Sequence, residues 1–151
     1  MSHVTTIELE ITDLDALAKA AEACGCELVR NQKTYKWWGS HVGDLPLPQG
    51  FKASDLGKCE HAIRVKGDSK AYEIGVAQKP GAKPGTYTML YDFYGGGRGL
   101  MKHVANDAKH ENVGKLLQSY STQVAKRELA RKGFRVTETV QNGKVVLRAT
   151  R

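Results

Sequence analysis

The sequence predicts an α+β fold: a mainly antiparallel or mixed sheet covered on one face by two helices. Three observations carry that expectation. Apolar and polar residues alternate strictly in several runs, two segments repeat apolar residues at helical spacing, and an Asn-Gly pair separates the last two β-rich runs. With 151 residues and 40% apolar content, the chain reads as a single domain, 1–151. A domain of that size buries roughly 68–70% of its unfolded surface without disulfide or metal staples. The composition excludes a disordered tail, a collagen-like fibre and a disulfide-dense miniprotein.

Each element follows in order. Ile7, Leu9 and Ile11 alternate with Glu8 and Glu10, which predicts a half-buried strand. Thr12 stands three residues before Asp15 as a capping pattern, and Leu14, Leu17, Ala18 and Ala21 recur at helical spacing before the natural stop at Gly25. Cys26 to Arg30 forms a second short strand and completes an opening β-α-β unit. Residues 31–58 hold Trp37-Trp38-Gly39 and Leu45-Pro46-Leu47-Pro48 and keep no period, so they read as a long ordered loop or excursion. Three alternating strands come next: His61/Ile63/Val65, Tyr72/Ile74/Val76 and Tyr87/Met89/Tyr91/Phe93.

Beyond the glycine tract at 95–99, a polar stretch has room for one helical turn. A long helix is expected from the N-cap Asn112 to Lys132, with Gly133 as its stop. Val113, Leu117, Tyr120 and Val124 make its apolar stripe, and Ala125 and Leu129 continue it as it spirals. Phe134–Gln141 and Lys144–Thr150 flank Asn142-Gly143 and close the chain as an α-β-β hairpin.

The formal charge of +7 is unevenly placed. Residues 1–75 carry nine Lys/Arg and eleven Asp/Glu, whereas residues 76–151 carry fourteen and five. A basic second half suits nucleic acid or another polyanion, or an acidic protein; it also suits a solvated face that maintains solubility. Cys24, Cys26 and Cys59 make an odd count, and the residues from Met1 onward read as neither a secretory leader nor a transit peptide. No apolar run approaches the ~20 residues of a membrane helix. These features predict a cytoplasmic protein in a reducing compartment that does not partner a membrane.

Several motifs resemble an uncharacterised family. They are Met1-Ser2-His3, the strand at Ile7, Asp13-Leu14-Asp15-Ala16-Leu17, Tyr72-Glu73-Ile74-Gly75, Asp92 with an aromatic after it, and Leu129-Ala130-Arg131-Lys132-Gly133-Phe134. In that order they resemble the hypothetical chloroplast open reading frame 35 proteins and their cyanobacterial, bacterial and phage relatives. The likeness covers both ends and the central strands. The excursion from Trp37 to Lys58, the triple glycine and the polar stretch 103–112 depart from it. The family is a domain of unknown function, so the resemblance implies a fold and supplies neither a reaction nor catalytic residues.

Five constellations carry chemistry. Lys126, Arg127, Arg131, Lys132 and Arg135 crowd the end of the long helix, where they either meet phosphates or complement the helix dipole as solvated surface. Arg98 and Lys102 would extend that patch, and Trp37, Trp38, Tyr91, Phe93 and Tyr94 would stack on unpaired bases unless they are core. Gly95-Gly96-Gly97-Arg98-Gly99 is either a phosphate cradle or a turn that ends a strand; it lacks the Lys-Ser/Thr of a P-loop. Adjacent Trp37 and Trp38 cannot both point into one core along an extended chain, so one is expected to be exposed as a protein-partner anchor. A loop folded back over the sheet would bury both.

Cys24, Cys26, Cys59 and His61 supply four potential zinc ligands, with residues 59 and 61 on one strand face. The alternative is small buried thiols and a core histidine. Cys59, His61 and Asp92 would make a thiol–imidazole–carboxylate site only if they meet, and no cysteine-enzyme signature surrounds Cys59. No feature requires a cofactor or a resident metal. The sequence therefore points first to a non-enzymatic binding or regulatory module for nucleic acid or another polyanion. An adaptor for an acidic protein comes second, acting through the basic helix or the Trp37-Trp38 loop, and a small Cys/His enzyme third.

Overall fold

The computed structural model describes residues 2–41, 43 and 45–151. Five strands, β1 (Val4–Thr6), β2 (Cys26–Arg30), β3 (His61–Val65), β4 (Ile74–Gln78) and β5 (Tyr87–Asp92), form one antiparallel sheet in the order β1-β5-β4-β3-β2. Three helices follow the chain as α1 (Leu14–Ala23), α2 (Met101–Val104) and α3 (Gly114–Arg131). Among the described residues, strands β6 (Arg135–Gln141) and β7 (Lys144–Thr150) pair only with each other. The α+β class is thus the one expected, but the opening β-α-β unit joins the two edge strands of the sheet rather than neighbours.

The first strand lies earlier than the Ile7–Ile11 alternation predicts. Pairing runs from Val4↔Asp92 to Thr6↔Leu90 and resumes as a single bridge at Ile11↔Tyr87. Four residues on one side face two on the other, so the chain bulges outward and leaves Leu9 exposed while Ile11 is fully buried. Asp13, not Thr12, caps α1: its carboxylate accepts the Ala16 N–H at 3.0 Å. Gly25 ends the helix with φ +76°, as expected of a glycine stop.

Alternation divides the sheet into two faces. Ile63, Val65, Ile74, Val76, Met89 and Tyr91 meet α1, α2 and α3 through Leu17, Ala20, Met101, Val104, Leu116 and Tyr120. The opposite face carries Ala62, Ala77 and Leu90 against Tyr35, Leu56 and Cys59 from the 31–59 segment. The excursion is therefore a cover over the second face, fixed by the Thr34↔Lys58 bridge and one helical turn at Ala53–Asp55. With both faces covered, β4 is buried at four of its five positions, and the alternation in its sequence has no solvated side.

The Tyr120 hydroxyl fastens α3 to the start of α1 by accepting the N–H groups of Thr12 and Asp13 at 3.1 and 3.2 Å. Asn112 still supplies the capping oxygen expected of it, accepting the Gly114 N–H at 2.9 Å, although Val113 is the boundary residue. At the far end Phe134 N–H reaches Leu129 C=O and Gly133 N–H reaches Ala130 C=O, both at 3.0 Å, which is a Schellman stop.

Candidate nucleic-acid interface

The five cations at the end of α3 do not form one free cluster. Arg127 pairs with Asp13 and, at 3.8 Å, with Asp15 at the start of α1. Lys126 pairs with Glu138 at 3.2 Å, and Arg131 and Lys132 share Glu128 at 3.3 and 3.8 Å. Arg135, the fifth, lies on β6 beyond the helix. The Arg131 and Lys132 pairs are exposed and contribute little stability, and Lys126 and Arg127 are half-buried; each pair places a carboxylate where a phosphate would have to bind. Arg98, in the turn leading into α2, and Lys102, in α2 itself, stand apart from the end of α3, and both are exposed.

That turn is ordered by its glycines. Gly95, Gly96, Gly97 and Arg98 all have φ between +52° and +73°, four left-handed residues in succession. The Gly97 carbonyl accepts Tyr72 N–H and Leu100 N–H at 3.0 and 3.1 Å, and the Arg98 guanidinium lies 5.4 Å from the centre of the Tyr72 ring. The following helix has only four residues, too few for the aligned dipoles of a phosphate cradle. The tract serves as a turn.

The hairpin presents a basic surface that a motif search at the helix end does not reveal. Register pairs Arg135 with Thr150, Thr137 with Arg148, Thr139 with Val146 and Gln141 with Lys144. These eight side chains share one face of the ribbon, and all eight residues are exposed. Three are cations and none is a carboxylate. The other face carries Val136, Val140, Val145, Leu147 and Ala149 with Glu138, and its Lys126–Glu138 pair turns it toward α3. Lys144 and Arg148 were missed because no cluster marks them in the sequence. The Asn-Gly turn nevertheless fixes the pairing, and parity alone then places them beside Arg135.

The two tryptophans separate as expected of neighbours on an extended chain. Trp37 is half-buried against Gly57, where a β-carbon would fall 2.6 Å from its indole nitrogen. Trp37 packs against the cluster under the cover, so Trp38 is the more exposed of the pair. Trp38 is 48% exposed and Tyr94 44%. One fully buried carboxylate holds the backbone of both: Asp92 accepts Trp38 N–H at 3.1 Å on one oxygen, and Tyr94 N–H at 3.2 Å and His3 N–H at 2.9 Å on the other. The His3 ring stands edge-on to Tyr94 with centroids 5.0 Å apart. Tyr91 is buried and Phe93 half-buried, so neither is a base-stacking platform.

The sheet separates the residues proposed for zinc or thiol chemistry. Cys24 and Cys26 lie in the core on the helix side, and Cys59 in the core under the cover. Residues 59 and 61 do not share a face. The Cys59 thiol points to Gln32 C=O at 3.2 Å, while His61 Nδ1 accepts Asn31 N–H at 2.9 Å and its ring meets Tyr87. Asp92 is occupied by backbone donors. Burial pushes the thiols of Cys26 and Cys59 up to about 11 and raises Cys24 as well, the reverse of an activated nucleophile. Among the described residues, no group of three or more His, Cys, Asp or Glu side chains is placed to hold a metal ion, and no helix is long and apolar enough to cross a membrane.

No family model, no curated protein and no solved structure matches the chain.

Proposed function

We propose that this chain is a non-enzymatic binding module whose basic C-terminal region takes a polyanion, first of all nucleic acid. The observation that carries this reading is the outer face of the hairpin, where Arg135, Lys144 and Arg148 stand with no carboxylate among them. The α3 cations, by contrast, are already matched within the chain. The resemblance to the open reading frame 35 family is compatible with this reading and adds no reaction to it.

The test is fluorescence anisotropy of labelled single- and double-stranded oligonucleotides at about 50 and 150 mM salt. Binding is expected to weaken with salt, with a log–log slope of roughly −0.7 to −0.9 for each phosphate neutralised. Absence of binding at the lower salt overturns nucleic acid as the direct ligand.

A second reading rests on a different observation, the exposed Trp38 and Tyr94 held over one buried carboxylate. Rigid aromatics backed by a fixed main chain suit a protein partner, because tryptophan and tyrosine are enriched at binding hot spots. A Trp38→Ala variant that loses a protein partner while keeping its fold supports this reading.

A further inference from the structure

We infer that the β6–β7 ribbon is a groove reader and that its ligand is B-form duplex DNA, entered through the major groove. This inference rests on the nucleic-acid reading and specifies the form of the ligand. The ribbon is separate from the five-stranded sheet: among the described residues it pairs with no other strand, and its outer face is exposed from Arg135 to Thr150. Seven residues per strand span about 23 Å at roughly 3.3 Å per residue. Two strands about 4.8 Å apart, with their side chains, match the major groove, which is about 12 Å wide and admits a two-stranded ribbon. The tip is the narrowest turn available, with Asn142 at φ +52° and Gly143 at φ +75°.

The chemistry of the face fits the two tasks of groove binding. Arg148 and Arg135 are diagonal neighbours near the open end of the ribbon, and Lys144 stands at the tip end, so positive charge brackets the face. Between and beside them lie Thr137, Thr139 and Gln141, short donors and acceptors of the kind that meet base edges, with Val146 as an apolar surface for a thymine methyl. Cations that bracket short neutral donors, acceptors and one apolar side chain match a groove that offers flanking phosphates, base edges and a thymine methyl within one ribbon width. A-form RNA is disfavoured because its major groove is deep and too narrow for a ribbon.

The experiment uses the whole chain with a DNA duplex of about 20 base pairs, close to two helical turns. The same sequence as double-stranded RNA, and the same duplex methylated at guanine N7, which lines the major groove, serve as comparisons. Expected results are at least tenfold tighter binding to DNA than to the RNA duplex and clear weakening on N7 methylation. The Lys144→Ala/Arg148→Ala variant should lose about tenfold and shallow the salt slope by roughly 1.8, two phosphate contacts at about 0.9 each. Far-UV circular dichroism establishes that this exposed double variant keeps its fold, and the N7 comparison needs no variant at all. Equal binding to both duplexes, indifference to N7 methylation, or unchanged binding by a folded double variant overturns the groove assignment while leaving nucleic-acid binding in place. No binding to any oligonucleotide at low salt overturns both.

Discussion

The ring of Tyr35 fills the space that a side chain at residue 75 would need: a β-carbon on Gly75 would stand 2.3 Å from Tyr35 Cδ1. This contact lets the 31–58 cover lie close on the sheet, because β4 has no side chain at its second position, where the ring rests. Gly75→Ala is expected to cost about 1–3 kcal/mol or more through overpacking. Among the described residues the buried Tyr35 hydroxyl has no hydrogen-bond partner of good geometry, the Gly57 backbone being its polar neighbour. Tyr35→Phe should therefore leave stability unchanged or raise it, since it removes an unsatisfied polar group and keeps the ring. Denaturant midpoints of the two variants check both expectations, and a Tyr35→Phe variant markedly less stable than wild type would contradict the packing described.

Asp92 joins three distant backbone segments through the N–H groups of His3, Trp38 and Tyr94. In Asp92→Asn an amide NH2 must face at least one of those donors. The expected loss is about 1–3 kcal/mol, with release of the Trp38 segment. Unfolding curves measure the first, and a shift in tryptophan emission reports the second.

His61 links stability to pH. Burial, reinforced by the positive charge of Lys33, pushes its pKa below the ordinary 6.5, and its Nδ1 must remain unprotonated to accept Asn31 N–H. The unfolded chain binds this proton more readily than the folded one. The contribution is therefore complete above about pH 6.5 and is lost as pH falls from there through the lower folded value. Stability measured between about pH 7.5 and 5 should decline, and His61→Gln should flatten the decline.

The three thiols should be inert in the folded protein. Cys59 and Cys26 are buried and shifted up to about 11, so little thiolate exists at about pH 8. Titration with a chromogenic disulfide is expected to be slow in the native state and to count all three cysteines in guanidinium chloride. Rapid reaction of Cys59 in the native protein would reopen thiol chemistry there.

The α3 cations and the hairpin cations should differ in effect. Arg131 and Lys132 already donate to Glu128, so they offer a phosphate fewer direct contacts than the cations of the ribbon face do. Arg131→Ala/Lys132→Ala should weaken oligonucleotide binding less than Arg135→Ala/Arg148→Ala, measured by anisotropy at one salt concentration. The reverse order would move the interface to the helix.

The amino-acid sequence by itself determined what depends on neighbours along the chain. Gly25 and Gly133 stop helices because only glycine is relaxed at their positive φ, and Asn142-Gly143 sets a tight turn. That turn determines which side chains share a face of the ribbon, so the basic face of Arg135, Lys144 and Arg148 was legible in principle from parity alone. Only the tertiary structure decided which cations are left unmatched and which faces are covered. Asp13 reaches Arg127 across 114 residues, and Cys59 and His61 fall on opposite sides of the sheet although two positions apart. The reason is physical. Turn and helix signals act through local hydrogen bonds and backbone sterics, whereas ion pairing and burial depend on which distant segments close on one another. The 31–58 cover shows this most plainly: its sequence has no period, because Tyr35, Trp37, Leu56 and Cys59 fit a surface that the other strands create.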